Sequence, residues 1–489
     1  MTHQHRLKWR EKLSYGFGDL ASVLYWQTFM VYLLYFYTDV FGISAAAVAT
    51  MFLVSRLWDG VNDPLMGMLA DRTVTRWGKF RPFLLWICVP FAVVGVLAFT
   101  TPDLDSTGKL VWAYVTFVLL MMLYTAINIP YTAMLGVLTP NPDERTALSS
   151  IKFIFAFSAG IIVSFTLLPM VKALGDGNDA RGWQLSFAIY GVAAVCFFLI
   201  TFGGTRERVN PPTAQKTSIK QDLRDLVANR PWVILLATTI TFILFVATRL
   251  SASAHYFKYY VGEQVLDLPF TSGPSTYSFE TLVSWFNGTG QIASVVGVVL
   301  VTWFVRLVGK KRAFVILFVV SVVSTAAFYF VQPHQIYLLF GLNMIGSLTG
   351  APMSAVIWAM YADAADYAEW KTGRRATGLV FSASTMSQKF GWAFGSAVAG
   401  WIMSAVGFQP NVEQTAETRH GLVLLVSLIP AALGVVSILI VMLYPLDEAK
   451  VNEMAQDLRK RREEADEEAS EESSSETDQD EPETTQGSA

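Results

Sequence analysis

Two carboxylates lie one helical turn apart within a long apolar stretch of the sequence. This stretch reads SRLWDGVNDP over residues 55–64, so Asp59 and Asp63 stand at positions i and i+4. Side chains at that spacing lie on the same face of a helix. Two carboxylates within reach of each other can bind Na⁺ through hard oxygen ligands, or they can share a proton. The alternative is a buried ion pair that only holds the helix in place.

One base accompanies this pair of acids. Arg56 lies about one turn before Asp59 on the same helical face, so it can neutralise the carboxylates when no cation is bound. Two acids and one base leave one negative charge unmatched, and an unmatched charge is costly in the apolar core of a membrane. This imbalance favours a cation site at Asp59 and Asp63 over a permanent ion pair.

A second apolar stretch carries neutral polar side chains. It reads YTAINIPY from Tyr124 to Tyr131, and Thr125 and Asn128 are spaced so that both can face one cavity. Pro130 removes a backbone hydrogen bond, which a membrane helix tolerates where it lines an aqueous pathway. The pattern predicts a helix that borders a polar cavity.

Three further charged residues interrupt apolar stretches. Asp19 follows the sequence YGFG, whose glycines let a ligand or another helix approach closely. Its carboxylate can accept hydrogen bonds from two vicinal hydroxyls, although an interfacial position is the alternative. Lys389 lies too deep in its segment to reach water, so we expect it to contact a carboxylate or a substrate. Lys152 can do the same, or it can extend its ammonium to the cytoplasmic interface.

Composition indicates that these charges lie in a membrane. The 489 residues are 53% hydrophobic and 15% charged, whereas soluble domains carry about 25% charged residues. A helix needs about 20 predominantly apolar residues to cross a bilayer. We therefore predict an all-α membrane protein whose twelve transmembrane helices lie at 13–40, 45–70, 82–101, 110–138, 149–172, 183–203, 232–261, 278–306, 312–332, 336–362, 374–405 and 421–444.

The placement of charge predicts how these helices are arranged. Lys and Arg concentrate at alternate ends of the segments, which places both termini in the cytoplasm by the positive-inside rule. The basic loop 204–231 divides the helices into lobes at 1–203 and 232–446, as in two-lobed transporters with a central substrate site. The segment 447–489 is acidic and too polar to form a packed core, so we expect a disordered cytoplasmic tail.

The loop between the second and third helices is also rich in charge. Asp71 and Arg72 begin this loop, and such charges can pair across the lobes on the cytoplasmic side. A network of that kind stabilises one closed state and must break in the other, so it predicts a gate. A simple positive-inside anchor is the alternative.

Several other classes of protein are excluded. The basic residues lie in short loops and form no nucleic-acid surface. The two cysteines, Cys88 and Cys196, lie in apolar segments without the spacing of a disulfide framework or a zinc site. No nucleophile–base set or metal cluster predicts an enzyme, a catalytic residue or a bound cofactor. The expected partners are the lipid bilayer and a small polar solute, with no obligate protein partner.

At these residues the sequence resembles the glycoside–pentoside–hexuronide:cation symporter family, the relatives of melibiose permease within the major facilitator superfamily. The block at 56–82 is specific to that family, and the matches follow in order over nearly the whole chain before the acidic tail. The matching segments are YGFGD at 15–19, FYTDVFG at 36–42, RLWDGVNDPLMGMLADRTVTRWGKFRP at 56–82, INIPY at 127–131, ADAADYAEWKTGRRATG at 362–378, and Lys389.

The resemblance implies a secondary symporter of the inner membrane that couples inward sugar transport to Na⁺, Li⁺ or H⁺ by alternating access. It implies that Asp59, Asp63 and Thr125 bind the cation. It implies that Asp19 binds sugar hydroxyls with polar residues of helices four and five, and that Lys389 links the two sites. The candidate partners of Asp19 are Tyr124, Asn128 and Lys152.

Three positions depart from melibiose permease: Asn128 replaces an Asp, Thr132 a Trp, and Lys152 an Arg. The NIPY pattern is similar to the glucuronide and xyloside branch, which implies a pentoside, a glucoside oligomer or a uronide as the cargo. Thr125 favours Na⁺, although H⁺ also fits these residues. An amphiphile such as a lysolipid, or a drug, is the alternative cargo, and the polar set of Asp19, Asn128 and Lys389 argues against it.

Overall fold

The computed structural model describes most of the chain. The described residues are 7–139, 142–208, 224, 226–267, 273–372, 377–458, 460–461 and 464. Most of the predicted central loop 204–231 and all of the predicted tail beyond 464 therefore lie outside the described residues.

The first half of the chain forms six long helices. They are α1 (Trp9–Tyr35, extended by a π-helical turn at Phe36–Val40), α2 (Ala45–Arg72), α3 (Arg81–Ala98), α4 (Ser106–Leu138), α5 (Pro142–Gly175) and α6 (Asp179–Gly204).

The second half repeats this arrangement within the described residues. Its helices are α7 (Arg230–Tyr256, extended by a π-helical turn at Phe257–Val261), α8 (Phe279–Val308), α9 (Lys310–Ala327, followed by a 3₁₀ turn at Phe328–Phe330), α10 (Ile336–Gly350 and Met353–Thr372), α11 (Thr377–Ala405) and α12 (Ala416–Val426 and Leu428–Met442). A short antiparallel hairpin of β1 (Gln264–Leu266) and β2 (Ser275–Tyr277) connects α7 to α8.

Local sequence explains where several of these helices begin. The side chains of Ser44, Asp105 and Asn229 each accept a hydrogen bond from a backbone N–H in the first turn of α2, α4 and α7, respectively. Such caps satisfy N–H groups that have no partner inside the helix. Each of the twelve predicted segments corresponds to one observed helix. The predicted and observed bounds differ most at the cytoplasmic ends of two helices, since α5 begins at Pro142 and α10 continues to Thr372. A helix can continue beyond the hydrocarbon core of the membrane.

Two of the twelve helices are less apolar than the others. Within the described residues, ten spans are long and apolar enough to cross a membrane, and α2 and α11 are not among them. The outer part of α2, Ala45–Ser55, is apolar, whereas the remainder contains Asp59 and Asp63. Lys389 lies on α11. As far as the structure describes them, the two helices that carry these charges are therefore less apolar over a membrane-spanning length than the other ten. This is expected where charges face a protein interior rather than lipid.

The helices form two lobes, α1–α6 and α7–α12, which meet along α2 and α11 and along α5 and α8. One cluster of buried apolar side chains fills the first lobe and continues into the second near the outer ends of α1 and α7, through residues such as Phe257 and Phe286. A second cluster fills the rest of the second lobe around Phe314 and Met360. Apolar packing therefore joins the lobes at the end opposite the cytoplasmic start of α1.

The start of α3 is held by a carboxylate from the end of its own lobe. Glu207, just after α6, accepts hydrogen bonds from three consecutive backbone N–H groups at 2.8, 2.8 and 2.9 Å. Gly78 precedes them with a φ of 112°, and a Cβ on it would lie 2.6 Å from the carboxyl carbon of Glu207. Glycine is therefore required for the carboxylate to reach the helix start. The donors are Lys79, Phe80 and Arg81.

The second lobe contains a matching arrangement. Glu448, just after α12, accepts a hydrogen bond of 3.0 Å from the backbone N–H of Lys310 at the start of α9. Gly309 precedes this residue with a φ of 83°, and a Cβ on it would lie 2.8 Å from Cγ of Glu448. Both lobes therefore tie their third helix to the segment that follows their sixth.

These contacts predict unequal losses of stability. We expect Glu207→Gln to lower the free energy of unfolding by about 1–3 kcal/mol, because the substitution weakens charge-assisted bonds to three N–H groups at a helix N-terminus. Glu448→Gln is the matched control and should cost less, since Glu448 receives one such bond. Thermal unfolding of the two purified variants compares them. An equal or larger effect at Glu448 would contradict this interpretation.

Candidate functional site

Three residues from three helices meet between the lobes. Asp63 of α2 accepts a hydrogen bond of 2.9 Å from the hydroxyl of Thr125 on α4, through Oδ1. Its other oxygen, Oδ2, forms an ion pair with Nζ of Lys389 on α11. The Asp63 and Lys389 side chains are both partly exposed. The structure thus brings together one carboxylate, one hydroxyl and one ammonium, with the ammonium contributed by the opposite lobe.

Asp59 lies one turn from Asp63 on α2, and only 2% of its surface is exposed. Helical geometry places its carboxylate on the same face as that of Asp63, so a second acid stands beside the Asp63–Lys389 pair. The side chains of Arg56 and Asp71 lie outside the described residues. Arg72 is exposed at the end of α2.

Among the described side chains, the base that lies on Asp63 is Lys389. The predicted role of Arg56 in neutralising the acid pair stays a prediction, because its side chain lies outside the described residues. An ammonium carries the same charge as Na⁺ and donates to the same oxygens. Lys389 therefore neutralises Asp63 from the opposite lobe.

The described contacts of the α2–α3 loop lie within the first lobe. Arg81 donates to the backbone oxygens of Trp77 and Phe202, at 3.1 and 2.6 Å, and Glu207 binds the adjoining N–H groups as described above. A role for Asp71 and Arg72 as a gate between the lobes stays a prediction.

A second charged pair lies on α1 and α5. Nζ of Lys152 is 3.7 Å from Oδ1 of Asp19, and the same ammonium lies 5.5 Å from the ring centre of Tyr131. Asp19 is buried, with 7% of its surface exposed, whereas Lys152 is partly exposed. A loose ion pair next to an aromatic face is a suitable site for a polyhydroxy ligand, because it offers both donors and acceptors beside an apolar surface.

The glycines before Asp19 position this pair. A Cβ on Gly16 would lie 2.6 Å from the ring of Phe155, and one on Gly18 would lie 2.3 Å from the ring of Tyr131. The two rings can therefore press directly against the backbone of α1. Tyr131 is fixed further by a hydrogen bond of 2.8 Å from its hydroxyl to the carbonyl of Tyr15. The YGFG sequence thus holds α1 close to α4 and α5, where Lys152 reaches Asp19.

Helix α4 connects the two charged pairs. Thr125, Asn128 and Tyr131 are spaced by three residues and lie along one side of the helix. Thr125 contacts Asp63 and Tyr131 faces Lys152, and six residues of helix span about 9 Å. Asn128, which is partly buried, therefore lies on α4 between the two pairs.

Aromatic residues border this region, and two of them, Trp26 and Trp392, were not among the predicted site residues. Trp26 of α1 stacks on Tyr124 of α4, with ring centres 5.4 Å apart and an interplanar angle of 24°. Trp392 lies about one turn beyond Lys389 on α11 and lines a small space with Phe29 and Phe52 on the outer side of the site. A Trp at helical spacing from a Lys within an apolar segment was the available signal, but many aromatic residues of this chain share that pattern.

Comparison with known proteins shows the family of this chain. Residues 14–448 match the family of MFS/sugar transport proteins. The chain belongs to this family. It is a multi-pass membrane transporter, and its two six-helix lobes have the fold of the major facilitator superfamily.

Individual members of the family extend this similarity over nearly the whole chain. The isoprimeverose transporter of Lactiplantibacillus pentosus is 35% identical over 468 residues, which cover 95% of this chain and 94% of the relative. The inner membrane symporter YicJ of Escherichia coli (strain K12) is 36% identical over 437 residues, covering 89% and 91%. Among solved structures, a D-xylose–proton symporter has a TM-score of 0.60 at 15% identity, with coverage of 89% and 97%. That last similarity supports the fold alone.

Proposed function

We propose that this chain carries a glycoside, pentoside or hexuronide into the cell and couples that movement to Na⁺ or H⁺. The observation that carries the proposal is the pair of charged groups linked by α4: Asp63 with Thr125 and Lys389 between the lobes, and Asp19 with Lys152 in the first lobe. In the first group, the carboxylate and hydroxyl oxygens can bind a cation. In the second group, a carboxylate acceptor and an ammonium donor can bind sugar hydroxyls. The names of the relatives, an isoprimeverose transporter and an inner membrane symporter, support this cargo, symport and the inner membrane.

The cation step is an exchange at Asp63. A Na⁺ ion would bind carboxylate oxygens of Asp63 and Asp59 and the hydroxyl oxygen of Thr125, which are the hard ligands that such an ion requires. A proton would instead bind one of the two carboxylates. A Na⁺ ion at this site, or a proton bound by Asp63, displaces the ammonium of Lys389 from Asp63, because each neutralises the same charge.

The sugar step uses the second group. The carboxylate of Asp19 accepts hydrogen bonds from sugar hydroxyls. On neighbouring positions the ammonium of Lys152 donates, and the amide of Asn128 donates or accepts. Tyr124 offers an aromatic edge next to this space. The cation releases Lys389 from Asp63, and the freed ammonium can then donate to the ligand that occupies the space beside α4.

Coupling follows from this shared lysine. If cation binding makes Lys389 available to the sugar, the cation raises the affinity for sugar, and the sugar must raise the affinity for the cation by the same factor. Lys389 belongs to the second lobe and its partners belong to the first. The exchange therefore changes an interaction between the lobes, which must move relative to each other during transport.

Uptake into vesicles tests the proposal. We expect purified protein in liposomes to accumulate a xyloside, a glucoside oligomer or a uronide when an inward Na⁺ or proton gradient is imposed, and only to equilibrate it without a gradient. In Asp59→Cys and Asp63→Cys, gradient-driven accumulation should disappear, because the cation loses a carboxylate ligand. Asp103→Cys, which replaces an exposed carboxylate in the α3–α4 loop, is the matched control and should accumulate sugar normally.

Two results would reject parts of this proposal separately. Retained gradient-driven accumulation in both Asp59→Cys and Asp63→Cys would reject the cation assignment while leaving sugar transport intact. Failure of every sugar to enter, together with uptake of a lysolipid by the same vesicles, would reject the cargo.

A further inference from the structure

Asp39 is a buried carboxylate at the outer end of α1, and it contributes to neither charged pair of the candidate site. It lies in the π-helical turn at Phe36–Val40, within the segment FYTDVFG. Its side chain is 0% exposed. A buried carboxylate is stable only when charges and hydrogen bonds compensate it, so its partners determine what this residue does.

The compensating groups come mainly from the opposite lobe. Nε2 of His255 lies 3.2 Å from Oδ2 of Asp39, and Nζ of Lys258 lies 2.9 Å from Oδ1. The hydroxyl of Tyr259 also donates to Oδ1. These three residues lie at the end of α7. Among the described residues, Thr38 is the first-lobe side chain that donates to this carboxylate, at 2.7 Å.

A loop of the second lobe completes the cluster. Asn411, between α11 and α12, donates from Nδ2 to the carbonyl of Asp39 at 2.6 Å and accepts from Lys258 at 2.7 Å. Its backbone N–H donates to the hydroxyl of Tyr259 at 2.8 Å. Asn411 has a φ of 59°, a left-handed conformation that Asn adopts more readily than most residues. The loop is thus shaped to reach α1.

The helix geometry at this place is unusual in both lobes. Helices α1 and α7, the first of each lobe, both end in a π-helical turn, at Phe36–Val40 and Phe257–Val261. Such turns are rare and occur frequently at functional sites. Here one turn carries Asp39 and the other carries Lys258 and Tyr259, so the two irregular turns carry the groups that meet across the interface.

We propose that Asp39, His255, Lys258, Tyr259 and Asn411 form an outer latch. The latch holds the lobes together on the outer face and must open whenever the central site is exposed to that side. Opening the interface here would separate Asp39 from its charged partners, and this cost sets how often the outer face opens. The inference requires that the two lobes move apart during transport, as in two-lobed transporters, and it does not depend on which sugar or cation is carried.

A buried cysteine introduced beneath the latch can report this opening. Ser251 lies one turn before His255 on α7, is 2% exposed, and contacts the carbonyl of Met30 on α1 across the lobe interface. In a background with Cys88→Ala and Cys196→Ser, Ser251→Cys should react slowly with a membrane-impermeant thiol reagent added to the outer side of cells. Adding Asp39→Asn should speed this reaction at least tenfold, because the amide keeps the shape and loses the charge.

The matched control removes a carboxylate at the same face without touching the interface. Glu413 lies two residues after Asn411, its side chain is 90% exposed, and it pairs with Arg419 of the same lobe. Glu413→Gln should leave the labelling rate unchanged. A folded Asp39→Asn that labels at the same rate as Glu413→Gln overturns the proposal, and so does a loss of thermal stability in Asp39→Asn without faster labelling.

A milder variant keeps the test decisive if Asp39→Asn does not fold. Asn411→Ala removes two side-chain contacts of the latch from an exposed loop position. We expect it to speed labelling of the thiol introduced by Ser251→Cys severalfold. Labelling of folded Asn411→Ala at the control rate would overturn the proposal by itself. No sugar or ion gradient is needed, so failure here is distinguishable from failure of the proposed symport.

Discussion

Lys389→Met is expected to raise the affinity of the protein for its coupling cation about tenfold and to abolish sugar accumulation. In the native protein the cation must displace the ammonium of Lys389 from Asp63. Methionine removes this competitor and leaves the carboxylate without its charged partner, so a cation gains about 1.4 kcal/mol of binding free energy. The affinity for the cation is measured on the purified protein, either by titration with NaCl or as proton binding. Thermal shift is the readout. Uptake into vesicles gives the accumulation.

Lys389→Arg is the control for this prediction. It keeps a positive charge at the same place, so cation affinity should stay within a few-fold of that of the native protein, although the planar guanidinium does not reproduce every contact of an ammonium. Weaker cation binding in Lys389→Met than in the native protein would show that Lys389 supports the cation instead of competing with it.

Asp19→Asn is expected to weaken sugar binding about a hundredfold while leaving cation binding without sugar nearly unchanged. The variant replaces an ionised acceptor, which makes strong hydrogen bonds to hydroxyls, with a neutral amide that has one acceptor oxygen. A hundredfold loss corresponds to about 2.7 kcal/mol. Binding of a transported sugar to the purified protein, measured by calorimetry at saturating cation, tests the first part. Cation titration without sugar tests the second.

Asp103→Asn provides the comparison, because it makes the same chemical change at an exposed loop position. Native sugar affinity in Asp19→Asn would remove Asp19 from the sugar site. A parallel loss of cation binding would instead indicate that Asp19 acts on the structure of the whole first lobe.

The sequence by itself determined the membrane architecture. Length and apolarity of each segment are local properties, and they were sufficient to predict twelve helices and their approximate bounds. Charged residues within apolar segments can also be recognised from the sequence. They indicate function, because a charge inside the membrane is energetically costly. Asp19, Asp59, Asp63 and Lys389 could therefore be selected from residue type and position in the chain. The family resemblance also came from residues that are contiguous in the chain, above all 56–82.

The tertiary structure alone decided which of these charges meet. Lys389 is 326 positions from Asp63 in the chain, and their ion pair exists because α11 packs against α2. The contacts of Asp39 with the end of α7, and of Glu207 with the start of α3, arise in the same way. Helical periodicity determines the face on which a side chain lies, but it carries no information about which distant helix will cover that face. That choice depends on how all twelve helices pack together.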